Sequence, residues 1–386
     1  MVFGLVSAVS GFFKYHFLAD RAVIDNALFR CHYRITSAIF FLSCILCTAH
    51  SLLGPAIECI YDDKKNENVI NTYCWVTSTF TVREYENANR QVGRHIAHPG
   101  VGPVDREDEE SKRYHAYYQW VPFVLFLQGI LFYMPHWIWK KWEGGKVGMI
   151  SDGLRGVLAE TREQRTKIQS RLVRYLIDSI SIHTWYAIGY YFCEVLNFFN
   201  VIFNIFLTNK FLGGMFLTYG IDAIQHDGDE PDNPFTRVFP RVTKCIFHKY
   251  GPSGTIQPVD SMCVLAVNII NEKIYIFLWF WFIILAIISG VSLIYSLGTV
   301  LFPGVRKMIL EHRFKFRVPQ AADALIARIK VGDFLLLHLL GQNINTVVFG
   351  DILNDMSREL SNPHGTAPPN HHEMAPMYPN KQFLAH

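Results

Sequence analysis

The stretch Tyr117–Trp139, YYQWVPFVLFLQGILFYMPHWIW, most restricts what this chain can fold into. It holds no Asp, Glu, Lys or Arg, and as a helix rising ~1.5 Å per residue it covers a ~30 Å hydrocarbon layer. Tyr and Trp crowd both ends, as they do where a bilayer meets water, and Lys140 and Lys141 follow at once. Pro122 falls in the first turns, where it deletes a backbone donor and is expected to kink or cap the helix. The competing reading is the core helix of a soluble protein, but uncharged runs of this length are rare outside lipid.

Composition agrees. At 50% hydrophobic, 15% aromatic and a mean hydropathy of +0.15, the chain is too apolar for an ordinary soluble enzyme and too charged to lie wholly in a membrane. A net charge of +3 without a long run of like charges gives no footing for nucleic acid. Three further apolar runs, Ile35–Leu53, Tyr186–Leu207 and Ile274–Leu297, make four spans in all. The expected class is an all-α membrane protein with four transmembrane helices. Its segments are 1–34 (N-terminal), 35–53 (first span), 54–116 (first outer loop), 117–139 (second span) and 140–185 (middle loop). They continue with 186–208 (third span), 209–273 (second outer loop), 274–298 (fourth span), 299–360 (helical C-terminal region) and 361–386 (a Pro- and His-containing tail expected to be disordered).

An even number of spans puts both termini on one side. Arg30 and Arg34 precede the first span, while Lys140, Lys141, Lys146, Arg306 and Lys307 flank the second and fourth, and the other two loops carry acidic runs. The positive-inside rule therefore places both termini and the middle loop in the cytoplasm. The two outer loops hold two cysteines each, Cys59 with Cys74 and Cys245 with Cys263, on the side where disulfides persist. A metal site from these four is the alternative, disfavoured because no C-x-x-C spacing or His pair accompanies them. Cys31, Cys44, Cys47 and Cys193 lie in or beside spans, where a thiol is an ordinary small apolar group.

Two polar patterns stand out. In the third span Glu194, Asn197, Asn204 and Thr208 share one helical face, with Asn200 close by. Polar groups in lipid need partners, so this face either hydrogen-bonds to other spans or lines water. Near the start, Val2, Val6, Val9 and Phe13 fall on one side of a helix and Ser7, Ser10 and Lys14 on another. A membrane enzyme needs charged or nucleophilic groups converging in the spans. Glu194 is the one acidic residue inside a span and no His or Asp flanks it on its helix, so neither a catalytic centre nor a cofactor is expected.

The stretch YYQWVP at Tyr117–Pro122 resembles the hallmark of the innexins, the invertebrate gap-junction proteins. GPAIEC at Gly54–Cys59, NTYCW at Asn71–Trp75, FPRVTKCIFHKYGPSG at Phe239–Gly254 and NEKIYIFLWFWFIIL at Asn271–Leu285 resemble innexin blocks in the same order. The resemblance implies a four-span subunit at the plasma membrane, two cysteines per outer loop, and assembly into homo- or hetero-oligomeric rings of eight. Such rings dock with the ring of a neighbouring cell, pass ions and small metabolites, and carry a helical cytoplasmic dome. It also implies an N-terminal helix in the pore entrance, with Ser7, Ser10 and Lys14 toward water; a helix lying on the membrane surface is the alternative. Of the three pairings open to the outer cysteines, matched distances from the membrane favour Cys59–Cys263 and Cys74–Cys245. No Asn-x-Ser/Thr acceptor occurs in the chain, which tilts the reading toward a surface that docks and away from an undocked hemichannel. A four-span adhesion protein is a further alternative, one that predicts no polar lining.

Overall fold

The computed structural model describes residues 22–60, 67–86, 98–103, 108–152, 154, 162–225, 234–313 and 321–361. Ser7, Ser10, Lys14 and the tail lie outside the described residues. The chain divides into two compact units, one of residues 1–148 and 185–301, the other of 149–184 and 302–386.

Four helices of the first unit are long and apolar enough to cross a membrane. Helix α1 runs as Ala27–Arg30, a π-helical Cys31–Thr36, and Ser37–Leu53. It starts well before Ile35 because the Asn26 side chain caps it, accepting from the Phe29 amide at 2.6 Å. In the π-helical part Thr36 Oγ1 donates to the Cys31 carbonyl five residues back at 3.2 Å. The first connection then supplies β1 (Glu58–Ile60), α2 (Glu67–Thr77), β2 (Thr79–Val82) and β3 (Lys112–His115). Helix α3, Val121–Glu143, follows a 3-10 turn at Tyr117–Gln119. Pro122 sits in its first turn, where a missing N–H is one of the orphan donors of any helix, so it opens the helix without removing one of its hydrogen bonds. The proline inside α3 is Pro135. Gly144, at φ +65°, ends the helix in the left-handed conformation that favours glycine.

Helix α4 (Lys146–Ser151) and helix α5 (Arg162–Asp178) follow; then α6 (Thr184–Phe211) is the third span. The second connection holds α7 (Phe216–Gln225), α8 (Pro234–Val238), β4 (Val242–Tyr250) and β5 (Ile256–Val264), and α9 (Val267–Leu301) is the fourth span. Its first two turns contain Asn271, Glu272 and Lys273, which reading from the sequence leaves in the loop. They are helical because Asn268 donates to the Pro240 carbonyl at 2.7 Å and Glu272 pairs with Arg241 at 2.8 Å.

The spans pack through aromatic rings and close backbone contact. Phe132 of α3 stacks on Phe40 of α1 at 5.4 Å and on Phe282 of α9 at 6.1 Å, all three essentially inaccessible. Ser37 of α1 donates to the Gly129 carbonyl of α3 at 2.8 Å; a Cβ on Gly129 would meet the Phe41 ring at 2.9 Å. The outward faces carry Leu42, Phe126, Phe199, Phe203, Ile287 and Ile294, the inverse of a soluble bundle.

The two connections meet in one antiparallel sheet, ordered β1-β5-β4-β2-β3. Period-two signals are short here, three or four residues in β1, β2 and β3, so the sheet is less legible than the helices around it.

The second unit is helical. Alongside α5 it contains α10 (Pro303–Arg313), α11 (Ala321–Arg328), α12 (Val331–Asn343) and α13 (Thr346–Ser361). Helix α12 is buried almost all round, through Leu335, Leu336, Leu337, Leu339 and Leu340. Asp333 fixes its start, accepting from the Ser181 and Lys330 amides at 3.0 Å each and from His183 Nδ1 at 3.1 Å.

Candidate functional site

Register builds the first constellation. β1 sets Cys59 opposite Cys263 of β5, and the two are joined. Cys245 on β4 is joined to Cys74 of α2, so one bridge lies within the sheet and the other fastens a helix to it. Both tie the first connection to the second. The Sγ atoms of Cys59, Cys74 and Cys263 lie within 4.8 Å of one another, but sulfurs paired as disulfides present no thiolate to a metal. Ile57, Ile70, Tyr118 and Leu265 close an apolar core around the four sulfurs.

Past the bridges β4 and β5 run on as a two-stranded hairpin to the pair Tyr250–Ile256. Its turn is closed by the Gly251 amide donating to the Thr255 carbonyl at 2.8 Å, with Gly254 at φ +82°. Tyr250 and Ile256 are 78% and 63% exposed, so the tip offers apolar surface held on a covalently fixed base. At the sheet's other edge His115 is buried. The Thr81 hydroxyl donates to Glu86 at 2.6 Å, so the His115 ring N–H donates to Thr81 at 2.8 Å. Burial, reinforced by the Arg113 charge, lowers the His115 pKa to about 4.

The second constellation lies between the spans. Glu194, Asn197, Asn204 and Thr208 are all buried inside the chain's own packing. Toward one end of α6, Gln128 of α3 donates to Thr208 at 2.8 Å, and Asn200 donates to the Leu131 carbonyl at 3.1 Å. This part of the polar face is interhelical glue, favouring that side of the two readings of the sequence. Toward the other end, Glu194 accepts from Asn26 at 3.2 Å, from Ser292 at 2.8 Å and from Ser296 at 2.6 Å. Nearby, His32 meets Ser289 at 2.9 Å, and Asp25 pairs with His136 at 3.3 Å under the stacked ring of Tyr33.

Sequence reasoning singled out Glu194 and Asn197 but missed what α1 and α9 bring to them. A signal existed in the fourth span. Ser289, Ser292 and Ser296 recur at i, i+3 and i+7, a polar stripe on the most apolar run of the chain. Asn26 and His32 carried none, since the cap and the π-helical turn that aim them are tertiary features.

Comparison with known proteins places this architecture. The family model described as Innexin matches residues 25–360. Innexin inx3 of Drosophila melanogaster is 49% identical, covering 98% of this chain and 96% of that protein. Innexin inx2 of Drosophila melanogaster is 44% identical over 93% and 96% of the two chains, and innexin inx2 of Schistocerca americana 40% over 93% and 98%. With four membrane-length helices and disulfides joining the two connections between them, the chain belongs to the innexins, a family of oligomeric gap-junction channel proteins of the plasma membrane and not of enzymes.

Proposed function

We propose that the chain is a subunit of an intercellular channel: rings of eight, docked end to end between two cells, passing ions and small metabolites. The sheet is the outer, docking face; the helical second unit is the cytoplasmic dome, and both termini are cytoplasmic. Orientation is supported by the basic residues Lys140, Lys141, Arg306 and Lys307 beside the spans and by the disulfides of the sheet, which need an oxidising side.

The observation that carries docking is the β4–β5 tip. Two bridges hold its base, its end residues are exposed and apolar, and no glycan acceptor occurs anywhere in the chain. A rigid tip loses little conformational freedom on meeting its twin, which favours association. A glycan there is bulky and hydrated, tolerable on a free hemichannel and not between apposed rings.

A single substitution tests this. Ser253→Asn creates the acceptor Asn-Gly-Thr with Gly254 and Thr255, at an exposed turn that keeps its backbone hydrogen bonds. The glycosylated protein is expected to reach the surface and keep single-membrane currents while cell-to-cell dye transfer is lost. Undiminished dye transfer with the glycan in place refutes docking through this tip. Absence of any glycan on surface protein counts against its outward orientation.

A further inference from the structure

The Glu194 end of the polar face leaves an imbalance. The carboxylate is buried within a span and accepts three hydrogen bonds, all from neutral donors: Asn26, Ser292 and Ser296. Among the described residues no Lys, Arg or His pairs with it. Buried charges are ordinarily paired or bound to a metal ion, and intramembrane ones even more so.

Beside it lies a cavity with room for one particle of about water size, its apolar wall formed by Leu28 and Phe29 and its polar wall by Asn26, His32, Glu194, Asn197, Ser289 and Ser292. Asn197 is only 3% exposed, yet neither its Oδ1 nor its Nδ2 has a hydrogen-bond partner. His32 is the same case. Ser289 donates to the Leu285 carbonyl at 2.5 Å, so the 2.9 Å contact with His32 Nε2 is donated by the ring. In the neutral ring that leaves Nδ1 as a buried acceptor without a partner. The cavity thus combines one negative charge, a carbonyl oxygen, hydroxyl lone pairs and a space of the right size for a single ion.

We propose that this cavity binds one small monovalent cation, held by the Glu194 carboxylate, the Asn197 amide oxygen and the Ser292 hydroxyl. Hard oxygen donors select a hard cation. A single carboxylate balances one positive charge, where Ca²⁺ sites gather several and Mg²⁺ demands a full octahedron. Ser292 already donates its proton to Glu194, so its lone pairs are free to face the ion. The site joins three parts of the first unit: α6 through Glu194 and Asn197, α9 through Ser292, and the start of α1 through Asn26. Binding therefore stabilises the packing of these helices.

The test uses the full chain purified in detergent, with Na⁺ as the probe. Tm is measured against rising NaCl, with N-methyl-D-glucamine chloride keeping ionic strength constant. A saturable rise of about 3 °C or more specific to Na⁺ is expected, since a ligand that binds only the native state shifts Tm by mass action. Asn197→Leu should abolish the Na⁺ shift. Because Asn197 has no hydrogen bond to lose, a merely structural role predicts an unaltered Na⁺ response in that variant. Glu194→Gln should raise the Na⁺-free Tm and remove the shift. A wild-type Tm that does not distinguish the two cations, the outcome if only water fills the cavity, overturns the proposal. So does an Asn197→Leu protein that keeps the full Na⁺ response. Should Glu194→Gln not fold, the wild-type and Asn197→Leu titrations decide between the outcomes by themselves.

Discussion

Removing the Cys74–Cys245 bridge measures how the sheet is held. With Cys59–Cys263 intact, the loop that this bridge closes is not the 171 residues between its cysteines. It is the difference between the two separations, 204 and 171, about 33 residues of chain. Chain entropy for a loop of that length is worth about 4 kcal/mol, against about 5 for the same bridge acting alone. The spans that anchor both connections already restrain the opened chain, so 4 kcal/mol is an upper figure. In the double variant Cys74→Ala/Cys245→Ala, hydrogen exchange of the β4–β5 amides should accelerate by roughly a hundredfold to a thousandfold, because each 1.4 kcal/mol is tenfold. Exchange in α3 serves as the internal control. Removing both bridges should cost more than the sum of the two single removals, since each shortens the loop the other closes. Less than about threefold acceleration in β4–β5 would refute the view that the bridges hold the hairpin base.

Three further outcomes are expected. Phe132→Ala removes the ring stacked between Phe40 and Phe282 and should destabilise the span bundle by about 3–5 kcal/mol, read as a lowered Tm and reduced surface delivery. In Gly332→Ala the new Cβ would collide with the His183 carbonyl oxygen, a backbone contact that cannot give; limited proteolysis should cut the C-terminal helical region far faster than in the parent. For His115, the ordinary value of 6.5 falls to about 4 in the folded sheet, so the unfolded ring takes its proton first on acidification. Sheet stability is then complete above pH 6.5, declines between 6.5 and 4 by about 3 kcal/mol, and levels off below; His115→Gln should flatten that profile.

The spans were legible in the sequence because hydrocarbon imposes one simple demand, length without charge, and Tyr117–Trp139 states it in a single stretch. Their ends were less so. Reading put the fourth helix at Ile274, where charge stops, whereas it begins at Val267, since Glu272 and Asn268 find partners in Arg241 and the Pro240 carbonyl. Pairing of the cysteines was legible from distance along the chain to the membrane, yet the sheet that brings Cys59 beside Cys263 was not, its outer strands being too short to show a period. The polar face of α6 was visible as a pattern, but its two ends do different things. Thr208 and Asn200 bind α3, while Glu194 and Asn197 face a cavity completed by α1 and α9, and only packing tells these apart.

Whether this chain builds a docked channel between cells is decided by electron microscopy of particles extracted from contacting cells. Two rings of eight subunits joined end to end are expected, with the β4–β5 tips around Tyr250 and Ile256 at the junction between rings. Single rings throughout, or paired rings whose β4–β5 tips lie away from the junction, would contradict it.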